Sequence, residues 1–166
     1  MIVPRYGDDG AAGQFDRIER ASLRAAERWP LAGRDPGMAV RGPEGLIGRV
    51  TEAGPAAARV LLLTDPESIV PVRRTRDGLP AIVVGRGDGT LDVRSVTTNV
   101  RLAKGDLFVT SGTGGLYAPN IPVARIKSDG GDVAIALPFV HPDTLDFAIV
   151  QRAFMPMPPS APAPRP

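Results

Sequence analysis

The chain has 166 residues, enough for one ordinary domain or two small barrels sharing a boundary, and its 43% apolar and 23% charged residues suit a globular chain with a core. It has no cysteine and one histidine, His141, which excludes disulfides, thiolate-bound metals and multi-histidine metal centres. The net charge is +2 and the arginines are scattered, densest at Arg73, Arg74 and Arg76; with no basic stripe and no run of stacking aromatics, no nucleic-acid partner is expected.

Gly 19 and Pro 18 are both high, as an all-β chain with many turns requires. Aromatics make up only 5%, so the core must be built from Val, Leu, Ile and Ala. Residues 1–13 read as a flexible lead-in. Residues 15–29 are ambiguous: Ile18, Leu23 and Ala26 stand near helical spacing, while period two also fits. After Pro30 the pattern sharpens. Asp35-Pro36-Gly37 is a turn, and Met38-Ala39-Val40 a short strand. Residues 46–52 are a strand with Gly48 inside it, predicting a bulge or a close backbone approach. Residues 58–64 are a buried strand closed by Asp65-Pro66. Residues 68–75 form the next strand, demoted to a sheet edge by Pro71.

Asp77-Gly78 turns the chain into residues 80–85, and Gly87-Asp88-Gly89 is a hairpin signal before the clean alternation of residues 91–96. Strands follow at residues 107–110, 121–126, 132–139 and 145–152, and the Pro-rich tail, residues 155–166, is expected to be disordered. The predicted class is therefore all-β, a sandwich or barrel. The longest apolar runs, such as residues 60–63 and 134–140, fall short of the ~18 residues that span a membrane. No signal-peptide shape opens the chain, so it reads as a soluble piece of a longer protein.

Three stretches invite a chemical reading. Lys104 to Gly115, KGDLFVTSGTGG, has a strand leading into hydroxyls and glycines. A phosphate cradle needs Gly-Lys-Ser/Thr entering a helix, and here Gly115 is followed by Leu116, Tyr117, Ala118, Pro119 and Asn120. Ser111 as a nucleophile would need His141 as its base, and His141 lies in the turn-like Val140-His141-Pro142-Asp143. The acidic pairs Asp8-Asp9, Asp129 with Asp132, and Asp143 with Asp146 all lie in turn contexts, where Asp accepts from backbone N–H groups. No catalytic residue, metal site or cofactor site is assigned. The residues read as an all-β binding or scaffolding module.

An ordered series of motifs is more specific than any of these. Gly37-Met38-Ala39-Val40 and Gly45-Leu46-Ile47-Gly48-Arg49-Val50 come first. Residues 58–65, 70–72 and 81–87 follow, then Lys104-Gly105-Asp106-Leu107-Phe108-Val109-Thr110-Ser111-Gly112 and Pro122-Val123-Ala124-Arg125-Ile126. From about Gly33 to Ile126 this series resembles the extracytoplasmic domain of the MreC family of rod shape-determining proteins. The chain departs from the family pattern at residues 25–30 and at Tyr117-Ala118-Pro119-Asn120, where Asn120 takes a glycine's place; Asn tolerates left-handed backbone, so the turn is expected to survive.

The resemblance implies a fold of two small β-barrels arranged as in trypsin but without a catalytic triad. The first would be residues 14–78 and the second 79–154, with insertion of one in the other as the alternative arrangement, and residues 15–26 a barrel strand rather than a helix. It implies a non-enzymatic scaffold of the bacterial elongation machinery, the periplasmic domain of an inner-membrane protein. The implied partners are the class B penicillin-binding transpeptidase, RodA, MreD, MreB and further copies of itself. The alternatives are a serine hydrolase-like domain and a small-ligand-binding β-barrel. Because Arg and aromatic anchors dominate protein interfaces, Arg73, Arg74 and Arg76 near the barrel junction, with Tyr117 and Pro119 in an exposed loop, are the expected contact residues.

Overall fold

The computed structural model describes residues 2–3, 22–24, 37–53, 57–145 and 148–152. Among them the regular structure is all β apart from a 3-10 turn at Pro142–Thr144, and no helix is long and apolar enough to cross a membrane. The strands in chain order are β1 (Ile2–Val3), β2 (Ser22–Arg24), β3 (Ala39–Arg41), β4 (Leu46–Ala53), β5 (Ala57–Leu62) and β6 (Ile69–Arg74). They continue with β7 (Pro80–Gly85), β8 (Leu91–Ser95), β9 (Leu107–Thr110), β10 (Pro122–Ile126), β11 (Val133–Pro138) and β12 (Ala148–Gln151).

Two sheets result, both antiparallel. One is six-stranded in the order β1-β12-β3-β4-β5-β2. The other is a closed barrel in the order β10-β11-β8-β7-β6-β9. The all-β, two-part architecture expected from the sequence is what the chain adopts. The division expected between residues 78 and 79 is corrected: it cuts the β6–β7 hairpin, whose ladder runs from Ile69↔Val84 to Arg73↔Pro80 inside one barrel. The barrel, β6 to β11, is inserted between β5 and β12 of the first sheet. Of residues 15–26, Ser22–Arg24 are a strand, paired with Ala57–Arg59 of β5; the remainder lies outside the described residues. So do all but Ile2 and Val3 of the lead-in, and the whole Pro-rich tail.

Period two explains the barrel wall. Val70, Val72 and Arg74 of β6, Ala81 and Val83 of β7, and Leu91 and Val93 of β8 all point inward and are buried. With Phe108 and Ile126 they fill the interior, so the barrel is a packed core. Gly48 confirms the close-approach reading: a Cβ there would overlap the carbonyl of Leu61 on the neighbouring strand. The register also slips beside it, with Ile47 the extra residue of β4 against β3, and again between Val50 and Glu52 against β5.

The edge placement of β6 is corrected. β6 pairs with β7 on one side and β9 on the other. Pro71 is tolerated because the β9 ladder covers only Val72 to Arg74. The carbonyl of Pro71 accepts from the N–H of Ser111, just past the end of β9, so its missing N–H falls where the ladder has already stopped.

The barrel meets the first sheet at one end. Ala39, Leu46 and Leu63 of the first sheet and its connection belong to the same buried cluster as the barrel interior. Gly45, in the β3–β4 turn, abuts the barrel so closely that a Cβ would lie 2.5 Å from the carbonyl oxygen of Pro122. The opposite end is capped by the segment between β8 and β9. It carries the fully buried Leu102, bridged through its backbone to Gly130. A second core, with Met38, Val40, Ile47, Val50, Val60, Leu62 and Ala148, lies on the other face of the first sheet.

Among the described residues Phe108 is the largest fully buried side chain, so truncating it removes more core volume than any other single truncation to alanine there. Phe108→Ala is expected to lower unfolding free energy by about 3–5 kcal/mol. Urea denaturation checks this, and a loss below about 1 kcal/mol would show that the interior collapses around the cavity.

Candidate partner-binding surface

The five expected contact residues do not share one surface. Arg74 is the inward-facing end of β6 and only 5% exposed. It stands at the barrel end opposite the first sheet, which corrects both its expected placement at the junction and its exposure. Its Nε and Nη2 donate to the two carboxylate oxygens of Asp77 at 2.9 and 2.6 Å. Its Nη1 donates to Asp106 Oδ2 at 2.9 Å and to the carbonyl of Arg101 at 3.1 Å. The same Asp106 oxygen accepts the N–H of Ala103 at 3.1 Å. Arg74 therefore ties the β6–β7 turn to the turn that enters β9, and the buried charges stay hydrogen-bonded, as burial demands.

Arg76 is exposed and pairs with the other oxygen of Asp106 at 3.3 Å. Arg73, the outward-facing neighbour of Arg74 on β6, is half-buried and donates through Nη2 to Asn120 Oδ1.

The glycine-rich loop after β9 is a built turn. Thr110 is fully buried; its hydroxyl donates to the carbonyl of Ala118 at 2.6 Å and accepts the N–H of Ile121 at 2.9 Å. Gly112, Gly114 and Gly115 have φ of 80°, 80° and 69°, a region that side-chain-bearing residues avoid, and Asn120 joins them at 68°. Asn120 thus holds the left-handed position expected of a glycine. Ser111 Oγ accepts the N–H of Thr113 at 3.2 Å, a turn role, and His141 is exposed ahead of the 3-10 turn, where its carbonyl accepts from Thr144. Asp129 and Asp132 likewise accept backbone N–H groups, from Lys104 and Val100.

Tyr117 corrects the exposed-loop expectation. It is 2% exposed and belongs to the barrel's core cluster, with Leu116 and Ala118 packed beside it. Burial pushes its phenol pKa up, partly offset by the nearby positive charge of Arg49 on β4. Leu116 reaches Gly37, just ahead of β3 of the first sheet. The loop is therefore part of the junction core, with Pro119 half-buried against Gly112. The signal for Tyr117 lay in composition: a chain this poor in aromatics spends them on its core.

The outer barrel surface holds a feature outside the five. Along β11 the small residues Ala134 and Ala136 point in, while Val133, Ile135 and Leu137 point out and are 50%, 36% and 39% exposed. The alternation was visible in residues 133–138, but which phase faces inward depends on the width of the barrel. A cavity beside the barrel, lined by Leu62, Thr64, Asp65 and Gly87, measures 20 Å³, room for about one water.

Comparison with known proteins agrees with this geometry. The family model described as "Rod shape-determining protein MreC, barrel core" matches residues 32–151. The cell shape-determining protein MreC of Haemophilus influenzae is 38% identical over 97 residues, covering 58% of this chain and 28% of that protein. The chain spans about a quarter to a third of the length of the curated relatives it matches. The crystal structure of MreC from Pseudomonas aeruginosa superposes with a TM-score of 0.73 at 32% identity, covering 90% of this chain and 97% of that one. A chain in a complex between Penicillin-Binding Protein (PBP2) and MreC from Helicobacter pylori shares the fold, with a TM-score of 0.66 at 12% identity, covering 92% and 98%.

Two outcomes follow from the Arg74 cluster. Arg74→Met leaves Asp106 buried without its main partner and is expected to cost about 3 kcal/mol in chemical denaturation, the lower end for a broken buried pair because Asp77 is half exposed. The Arg74 hydrogen bonds, helped by the N–H of Leu79, hold the Asp77 carboxyl at about 2, below its ordinary 3.8. A depressed carboxylate adds stability above the ordinary value and loses it as pH falls toward the folded one. Wild type should thus lose melting temperature between pH 4 and pH 2, and Asp77→Asn should flatten part of that slope. Parallel slopes for the two proteins would remove Asp77 from the acid response.

Proposed function

Because the chain belongs to the MreC family of rod shape-determining proteins and carries its barrel core, we propose that it is the partner-binding β domain of a scaffold that controls cell shape. The scaffold would hold cell-wall synthesis proteins of the elongation machinery in the periplasm. The observation that carries this reading is the family match over residues 32–151, joined to a chain of the same fold in the complex of Penicillin-Binding Protein (PBP2) with MreC from Helicobacter pylori. The first partner is accordingly a class B penicillin-binding transpeptidase. RodA, MreD and MreB, self-association, and anchoring in the inner membrane belong to the reading of the whole protein.

A non-catalytic role is supported by how the suggestive groups are used. The Ser111 hydroxyl closes its own turn and His141 opens another, with no hydrogen bond joining them among the described residues. The barrel interior is filled by buried side chains, which leaves no room for a small ligand.

The test is capture of the transpeptidase ectodomain by this domain. Wild type and Ser111→Ala are both expected to retain it, and neither should react with a fluorophosphonate probe. Labelling that depends on Ser111 would favour the hydrolase reading, and absence of capture by wild type would remove the transpeptidase as partner.

A further inference from the structure

Val133, Ile135 and Leu137 form an apolar row on the outer wall of the barrel, about 13 Å long at ~3.3 Å per residue. Val96, 66% exposed just past the end of β8, lies beyond Val133, because the N–H of Ser95 donates to the carbonyl of Asp132. The rows on either side are charged. On β8, Arg94 stands opposite Val133 and Asp92 opposite Ile135. On β10, Arg125 stands opposite Leu137, and Lys127 follows, its N–H donating to the carbonyl of Ile135.

The charges on the two sides differ. Asp92 is neutralised by Arg86 at 2.9 Å and by Arg94 at 3.4 Å. Neither Arg125 nor Lys127, just past the end of β10, has a carboxylate partner among the described residues: Arg125 lies over the ring of Phe139, 5.5 Å from its centroid, and Lys127 is exposed. A one-strand apolar row with an unneutralised positive border is the complement of an apolar surface edged by carboxylates.

Both edges of β11 are occupied, by β8 and β10, so an occupant cannot add a strand and must be met by side chains. A second copy is disfavoured: a two-fold axis across the row brings the two positive borders together, and one along the row sets the positive border against Asp92, already paired with Arg86 and Arg94. A bilayer surface is disfavoured as well, since the row is only one strand wide and the neighbouring aromatic, Phe139, is half-buried under Arg125.

We propose that the outer face of β11 is a docking surface for a partner protein whose contact region has an apolar centre and an acidic rim, engaged by Ile135 and Leu137 at the centre and by Arg125 and Lys127 at the border. This rests on the reading of the chain as a partner-binding domain and assigns that binding to one face.

The experiment titrates the domain onto an immobilised penicillin-binding transpeptidase ectodomain, using wild type, Ile135→Thr with Leu137→Thr, and Lys127→Glu. Threonine keeps β propensity on an outward position, and circular dichroism melts confirm that each variant is folded. Both variants are expected to bind about tenfold more weakly at unchanged melting temperature, and Lys127→Glu to lose part of the wild-type salt dependence. Wild-type affinity in both variants overturns the β11 assignment and leaves the partner-binding reading standing. Absence of binding by wild type overturns both. Two further outcomes would replace the occupant and so overturn the proposal. One is a threonine-sensitive dimer in sedimentation velocity; the other is threonine-sensitive sedimentation with phosphatidylglycerol vesicles.

Discussion

The β6–β9 ladder is the constraint on which the rest of the structure depends. It joins strands that are distant in sequence, with Val72 opposite Thr110 and Arg74 opposite Phe108, and it turns a six-stranded sheet into a closed barrel. Closure removes exposed sheet edges and fixes the width of the interior. A narrow interior that already holds Phe108, Leu91 and Ile126 takes the small Ala134 and Ala136, followed by Pro138, on the inward side of β11. The larger Val133, Ile135 and Leu137 are thereby turned outward. The apolar surface of the barrel is thus a direct consequence of how the barrel is filled.

The two ends of the barrel solve different problems. At the far end, the closing strand terminates in a buried guanidinium, which is tolerable only because Asp77, Asp106 and a backbone carbonyl take up its donors. At the near end, the loop after β9 folds inward with Tyr117 and merges the barrel interior with Ala39, Leu46 and Leu63 of the first sheet. The two sheets therefore share a core rather than a linker. For a domain read as a scaffold this matters, because surfaces on both sheets are presented in a defined relation to one another.

Much of the local design was legible. The turns at Asp77-Gly78 and Gly87-Asp88-Gly89 stand where Gly and Asp marked them, because positive φ and side-chain acceptance of N–H groups are properties of single residues. Asn120 was readable on the same ground. The ordered series of motifs pointed to the family. Less legible were the roles of individual side chains. Arg74 alternates in phase with Val70 and Val72, so its burial was encoded in period two, yet an arginine near Arg73 and Arg76 reads as surface until its acidic partners are located. Pro71 argued for an edge because the end of the neighbouring ladder is invisible to a rule about one strand.

By itself, then, the sequence determined an all-β chain, the positions of most strands and turns, and membership of a family, because propensity, alternation and turn chemistry act over a few residues. Only the tertiary structure decided that the barrel is inserted between β5 and β12 and that Tyr117 lies in its core. It also decided which phase of β11 meets solvent. These depend on closure: which distant strands pair, how wide the enclosed space is, and which side chains fill it first.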